Sequence, residues 1–457
     1  MALLSLPPGP GPISSDDHVA LFRQGPLSFL HDLAQQYGDI VYFKRGAENV
    51  FLINNPHYIN NVLVTHHRNF VKGRSVQRAK HVVGEGLLTS EGDTHRRQRR
   101  LAQPAFHRER VAGYAAVMVE KAIRMRQRWQ PNQVVDLSVD MTAITLEIVT
   151  QTLFGTNIEA ETAQISQACA DAMAIIKAMN VVDLRRMIGP AVEDQNEYHA
   201  QEIQFEEIKT QLDSVISAII HQRRQSTIDH GDLLSMMLLA HDVEGDETGM
   251  TDEQLQDEIV TLFLAGHETT ANALTWTWYL LAQHPEIEAQ VHAELDRVLG
   301  NRVPAARDYP HLSLLNMVFA ESMRLYPPAW MIDRRNLEEY QMGDYTLPPQ
   351  SVVVMSQWVT HHDPRFFPDP ERFDPLRWTP EAKEQRPKFS YFPFGGGPRQ
   401  CIGEGFAWME GVLLLATFAQ HWKFKLVPGH PIEPIPMMTL RPRFGMPMQL
   451  ERRKTSG

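Results

Sequence analysis

Apolar residues recur along most of this chain at the spacing of a helix, with short stretches of the alternation that marks a strand. Residues 27–37 keep a helical period, and residues 40–43 and 50–53, parted by Gly46, read as a hairpin. Residues 56–64 suit a short helix, whereas the glycine-containing, basic and irregular segment 72–90 reads as a surface loop. Helical stretches at 118–129, 141–154, 163–179 and 201–224 then alternate with short polar links. From Thr251, whose hydroxyl and Gln254 fit a capping box, the helical pattern holds to His284-Pro285. That is roughly thirty residues, on the order of 45 Å, enough to cross a domain. Residues 314–325 form another helix, which Tyr326-Pro327-Pro328 breaks. Residues 329–332 and 352–355 are extended, residues 406–420 are helical, and the tail from Pro436 to Arg452 reads as a final hairpin. The pattern predicts a mainly α fold with a small β-rich lobe, built from residues 40–53 and the strands after Arg334. No boundary interrupts residues 1–457, which read as a single domain.

With 43% hydrophobic and 22% charged residues the chain can bury a large core and is not disordered. Its formal net charge of −11 argues against a general nucleic-acid binder. Two cysteines, Cys169 and Cys401, support no disulfide framework and suit a reducing compartment, the cytoplasm. Cys169 reads as a small buried apolar residue. The N-terminus lacks the basic region and apolar run of a signal peptide. Residues 259–283 are apolar enough to suggest a membrane span, but His267, Glu268 and Asn272 lie near their middle, where polar groups are costly in lipid. A buried core helix fits better, and no transmembrane anchor is expected.

One stretch carries unusual chemistry: Phe394-Gly395-Gly396-Gly397-Pro398-Arg399-Gln400-Cys401-Ile402-Gly403. Successive glycines take conformations closed to other residues, so something flat can lie against this loop. Cys401 stands where a helix begins, facing unpaired N–H groups and the positive end of the dipole, which favour a thiolate. Thiolate is the form that binds metal.

This decapeptide resembles the haem-binding loop of the cytochrome P-450 family: Phe, Gly, any, Gly, any, Arg, any, Cys, any, Gly. Phe394, Gly395, Gly397, Arg399, Cys401 and Gly403 meet every fixed position. Ala265-Gly266-His267-Glu268-Thr269-Thr270 resembles the family's oxygen-binding helix motif in full. There Gly266 permits close approach of something flat, and Thr269 can bond back to a carbonyl and open the helix. Glu321-Ser-Met-Arg324 matches a third motif, with Arg372 as the second arginine of its structural triad. The composition of His361-His362-Asp363 suggests a metal site, but the resemblance places it in a structural turn.

The resemblance implies a cytochrome P-450 fold and haem b (iron protoporphyrin IX), with Cys401 as the axial ligand of the iron. His95, Arg99, Arg334 and Arg399 would hold the propionates, although the family often has Trp where His95 stands. Phe394, Gly395 and Ala265 would lie against the porphyrin, and Glu268 and Thr269 would handle protons. The implied activity is a haem-dependent monooxygenase that inserts one oxygen atom from O₂ into a sizeable, mainly apolar organic substrate. Trp330, Met331, Ile332, Met437 and Met438 either line its pocket or fill core. Electrons would come from a separate ferredoxin or flavodoxin-like donor, because no GxGxxG nicotinamide or flavin signature is present. Arg96, Arg97, Arg99, Arg100, Arg108 and Arg110 would steer such a donor if they formed a patch on the cysteine side. Two alternatives stand beside this: a peroxide-driven or rearranging haem-thiolate enzyme, and a non-catalytic thiolate-haem sensor. The first usually lacks the acid–threonine pair, and the second needs an output domain.

Overall fold

The computed structural model describes residues 6–11, 22, 24–155, 210, 213–214, 216–225, 229–242, 244–245 and 247–453. The expected hairpin is β1 (Ile40–Arg45) and β2 (Glu48–Ile53), paired with Ile40 opposite Ile53 and turned at Gly46, φ +58°. They enter a five-stranded sheet in the order β1-β2-β8-β5-β3, with β3 at Phe70–Lys72, β5 at Ile332–Asn336 and β8 at Val352–Met355. Strands β6 (Tyr340–Met342) and β7 (Tyr345–Leu347) pair by themselves. The alternation of β2 and β8 divides their side chains between two cores. Val50, Leu52, Val352 and Val354 meet Leu27, Leu30 and Leu33 of helix α1 (Pro26–Tyr37). Phe51, Ile53, Val353 and Met355 meet Phe389 and Phe392, at the foot of the glycine-rich loop.

The other long helices are α2 (Gly92–Ala102), α3 (Arg108–Arg128), α4 (Leu137–Phe154), α5 (Asp252–Gln283), α6 (Pro285–Val298), α7 (Ser313–Leu325) and α8 (Glu404–Ala419). Helix α5 is 32 residues long and opens with the predicted reciprocal cap, Gln254 N–H to Thr251 Oγ1 and Thr251 N–H to Gln254 Oε1, both 3.2 Å. It packs along α4 and against α7 and α8, and α8 packs on α3. Being enclosed, α5 is apolar on most faces, and so its sequence imitated a membrane span. No described helix is long and apolar enough to cross a membrane.

Two segments differ from expectation. Residues 72–90 are not a surface loop: they follow β3 through short helices at Arg74–Arg78 and Lys80–Val83, and Lys72, Leu87, Thr89 and Ser90 are buried. The tail is not one hairpin. Strands β10 (Pro434–Pro436) and β11 (Leu440–Pro442) pair around a tip, while β12 (Pro447–Arg452) joins β4 (Val134–Asp136) and β9 (Trp422–Leu426) in a separate sheet. The helix expected at 163–179, with Cys169, lies outside the described residues, as do residues 201–209; residues 216–224 are helical.

A buried carboxylate ties α7 to the loop. Glu321, fully enclosed, accepts from Arg324 Nε (2.9 Å) and Nη2 (2.8 Å), from Trp378 Nε1 (2.8 Å) and from the Asp374 N–H (3.0 Å). The second guanidinium belongs to Arg377, 3.3 Å away, and not to Arg372. The turn Pro375–Trp378 folds back over α7, whereas Arg372 is exposed and offers Arg324 only its carbonyl. Arg324 also donates to the His361 carbonyl at 2.9 Å, and His361 Nε2 accepts the Phe392 N–H at 3.0 Å, just before the loop. Removing one partner of a buried, hydrogen-bonded ion pair costs about 3–5 kcal/mol. Glu321→Ala should therefore show a loss of that size in denaturant unfolding; a change within the range of a surface pair, about 0–1 kcal/mol, would contradict this role.

Candidate active site

Four separate elements bring cations to one place. In the β3–β5 ladder Lys72 lies directly opposite Arg334, a pairing of like charges that destabilises a sheet. The glycine-rich loop adds Arg399, and α2 adds His95 and Arg99. Burial, then Arg399, pulls Lys72 down to about 7, and the same causes pull Arg334 down to about 10. Burial, then Lys72 and Arg399, pulls His95 down to about 3, so it is a neutral donor. Three carboxylates face the four cations, and one of them, Glu258 beside Lys72, is pushed up to about 8 by burial and is largely neutral. Burial raises Glu91, but Arg399 and the Lys72 N–H (2.6 Å) more than offset it and hold it below the usual range. Asp333, beside Arg334, is pushed up by burial. Lys72 Nζ is otherwise satisfied only by the carbonyls of Leu87 (2.7 Å) and Ser90 (2.9 Å), and Arg399 Nη1 is buried with no partner among the described residues. An excess of buried positive charge with an orphaned guanidinium N–H fits a ligand carrying two carboxylates, as the propionates of haem do.

The loop folds for a reason other than the one expected. Gly397 has φ +70°, and a Cβ there would run into the Leu63 carbonyl, while one at Gly396 would strike the Phe389 ring. Those two glycines admit protein, and only Gly395 (φ +70°) has open space beside it. The Cys401 N–H donates to the Phe394 carbonyl at 3.0 Å, and Phe394 itself packs on Trp408 of α8. Cys401 is exposed, and the Gly403 N–H and the Arg99 guanidinium lie close to its thiol. Burial pushes the thiol up, against the pull of the Gly403 N–H and Arg99. The helix start does not by itself produce a thiolate, because α8 begins three residues later, at Glu404. A bound metal removes the thiol proton outright.

The other exposed spot on buried structure is in α5. Ala265 is exposed and Gly266, Glu268 and Thr269 are partly so, between fully buried neighbours. Thr269 Oγ1 donates back to the Ala265 carbonyl at 2.9 Å as expected, but the helix stays continuous and does not open. Gly266 admits α4: a Cβ there would sit 3.1 Å from Val149 Cγ2. His267 is buried and faces the Phe263 carbonyl through Nδ1 at 2.9 Å. Glu268 Oε1 accepts the Thr439 hydroxyl at 2.7 Å. Of the expected pocket residues, Trp330 is core beside Leu27 and Val354, with its Nε1 donating to the Met437 carbonyl at 2.9 Å. Met437 is buried, Met331 and Ile332 are half-buried, and Met438 is exposed.

The arginine-rich segment does adjoin the cysteine loop, through Arg99 Nη1 to the Gln400 carbonyl at 2.6 Å. Much of its charge is neutralised: Arg96 pairs with Asp93, Arg97 and Arg100 with Asp242, and Arg110 with Asp229. Lys72, Glu91 and Thr439 were not singled out in the sequence, where they look like ordinary surface residues; only strand pairing and chain reversal bring them here.

The family model described as Cytochrome P450 matches residues 7–450. This chain belongs to the cytochrome P450 family. It is 38% identical to cyclooctatin synthase of Streptomyces melanosporofaciens, over 94% of this chain and 92% of that protein. It is 34% identical to cyclooctat-9-en-7-ol 5-monooxygenase of the same organism, over 92% and 90%. Pentalenene oxygenase of Streptomyces avermitilis is 32% identical over 94% of both. The crystal structure of the cytochrome P450DA heme domain superposes with a TM-score of 0.88 at 25% identity, covering 99% of each chain. The protein is accordingly a haem-thiolate monooxygenase of mainly α fold, acting on a small molecule with a redox partner.

Lys72 gives this P450 a test of the cation cluster. Lys72→Met removes a repulsion in the haem-free protein and an attraction in the loaded one. The haem-free variant sets the relief of that repulsion against the lost bonds to the Leu87 and Ser90 carbonyls, so its thermal unfolding should stay near wild type. Its haem should escape to an excess of scavenger about tenfold faster, the worth of one charge-assisted hydrogen bond. Unchanged haem loss would remove Lys72 from the site.

Proposed function

We propose that this P450 inserts one oxygen atom from O₂ into a sizeable, mainly apolar, terpenoid-like substrate. The observation that carries the reading is the Glu268–Thr269 pair, which stays partly exposed beside exposed Ala265 while the α5 residues around it are buried. Bound haem supplies the oxygen activation. Cys401 Sγ would hold the haem iron, and Arg99, Arg334, Arg399 and His95 would hold the propionates, with Lys72 as a further cation. The haem is haem b, since Cys401 has no second cysteine near it in sequence for thioether attachment. Residues 1–457 act as one catalytic unit, a view supported by the 99% two-way coverage of a single heme domain.

Oxygen cleavage consumes two protons, which an apolar cleft does not provide. The Thr269 hydroxyl is held at the helix surface by Ala265 and can pass a proton from Oγ1; the Glu268 carboxyl can replace it from solvent. Exposed Met438 offers thioether contact to an apolar ligand without a polar anchor. The relatives named for pentalenene and for cyclooctat-9-en-7-ol support an olefinic terpenoid. Electrons come from a ferredoxin or flavodoxin-like protein in the cytoplasm, docking beside Gln400 and Arg99. Because Asp93, Asp242 and Asp229 offset that segment, reduction should slow only modestly as salt rises.

Thr269→Ala decides the reaction. Haem content, substrate binding by ferric spin state and NAD(P)H consumption should stay near wild type, while product per NAD(P)H falls and hydrogen peroxide rises. Thr270→Ala, turned about a hundred degrees around the helix, should do much less: its hydroxyl faces the Gly266 carbonyl at 3.3 Å and the buried Glu410 of α8. Unchanged coupling in Thr269→Ala would mean that protons take another route.

A further inference from the structure

Glu268 is partly exposed but not free. Its Oε1 accepts the Thr439 hydroxyl at 2.7 Å, and Thr439 Oγ1 in turn accepts Asn272 Nδ2 at 3.0 Å, one helical turn along α5. The Arg441 guanidinium stands 3.9 Å from the same carboxylate oxygen. Thr439 is buried, and 171 residues separate it from Glu268 in sequence, so the contact is tertiary. The tip that carries it is fixed at both ends. The Leu440 N–H donates to the Pro328 carbonyl at 2.9 Å, Trp276 Nε1 of α5 donates to the Leu440 carbonyl at 3.0 Å, and Trp330 Nε1 holds Met437. Between these anchors only Met438 is exposed.

We propose that Thr439 is a positioning residue for the proton relay: it seats the Glu268 carboxylate on the β10–β11 tip, which itself faces the ligand through Met438. The inference rests on the assignment of Glu268 to proton supply. A hydroxyl has one proton, and Thr439 spends it on Glu268 because Asn272 already donates to its oxygen. The order Asn272 to Thr439 to Glu268 therefore has one direction, and the carboxylate must remain the acceptor. Thr439 and Arg441 both face Oε1, and the Glu268 side chain keeps part of its surface exposed, so the carboxylate is held at one end while remaining accessible. Thr439→Val keeps the shape and deletes the donor, so the carboxylate loses its seat while the tip keeps its backbone anchors.

The test uses the haem-loaded full chain, a ferredoxin and its NADPH reductase, and a cyclic terpene olefin chosen because it shifts the ferric spin state. Thr439→Val, Thr439→Ser, Glu268→Gln and the double variant Thr439→Val/Glu268→Gln are compared for product and peroxide per NADPH. Thr439→Val should lose product and gain peroxide severalfold, with the spin-state titration unchanged, and Thr439→Ser should restore coupling. The double variant should be no worse than Glu268→Gln. Wild-type coupling in Thr439→Val beside an uncoupled Glu268→Gln would overturn this inference alone, as would additive losses or a changed spin-state titration. Wild-type coupling in Glu268→Gln would overturn the relay assignment and this inference with it.

Discussion

Two cations facing each other across adjacent strands are the constraint around which the site is arranged. Lys72 and Arg334 share a rung of the β3–β5 ladder, and Arg399 approaches the same ground from the glycine-rich loop. Like charges in that relation repel, and burial makes each of them costly to keep charged. Glu91 relieves part of the strain by taking Arg399 and the Lys72 backbone. The sheet, α2 and the loop, distant in sequence, thus bring their cations to one point, an arrangement that suits a ligand with two carboxylates.

The scaffold keeps that point fixed from behind. Glu321 gathers Arg324, Arg377, Trp378 and the Asp374 N–H, and Arg324 passes the order on through His361 to Phe392. The loop then turns at Gly397 against Leu63 and leaves Cys401 exposed. In α5 the partly exposed Ala265–Thr269 window is steadied by Thr145 of α4, whose hydroxyl donates to the His267 carbonyl at 3.0 Å. Stability and chemistry thus use different residues of the same motifs: Gly266, Gly396 and Gly397 make room for neighbouring protein, and Gly395 keeps open space beside it.

What could be read from the chain was what is local. The 394–403 loop and the 265–270 motif each keep their chemistry within a few residues, so spacing alone exposed them. The hairpin at Gly46 and the Thr251–Gln254 cap were legible for the same reason. Lys72 was hidden because its partner Arg334 is 262 positions away (334 − 72) and reached only through strand pairing. Arg377, and not the expected Arg372, reaches Glu321 because the turn at Pro375 folds over α7, which the local sequence does not reveal. The tail looked like one hairpin because alternation does not say which strand is the partner: β12 chose β9 and β4. Thr439 carried no signal at all, since a threonine in a turn is ordinary until Glu268 is found above it.

The central claim is that Cys401 holds the haem iron as a thiolate. The most direct measurement is the absorption of the reduced protein under carbon monoxide, taken for wild type, Cys401→Ala and Cys169→Ala. A thiolate ligand gives a strongly red-shifted Soret band, so wild type and Cys169→Ala should both show it and Cys401→Ala should not. A band that survives Cys401→Ala, or vanishes in Cys169→Ala, would contradict the account.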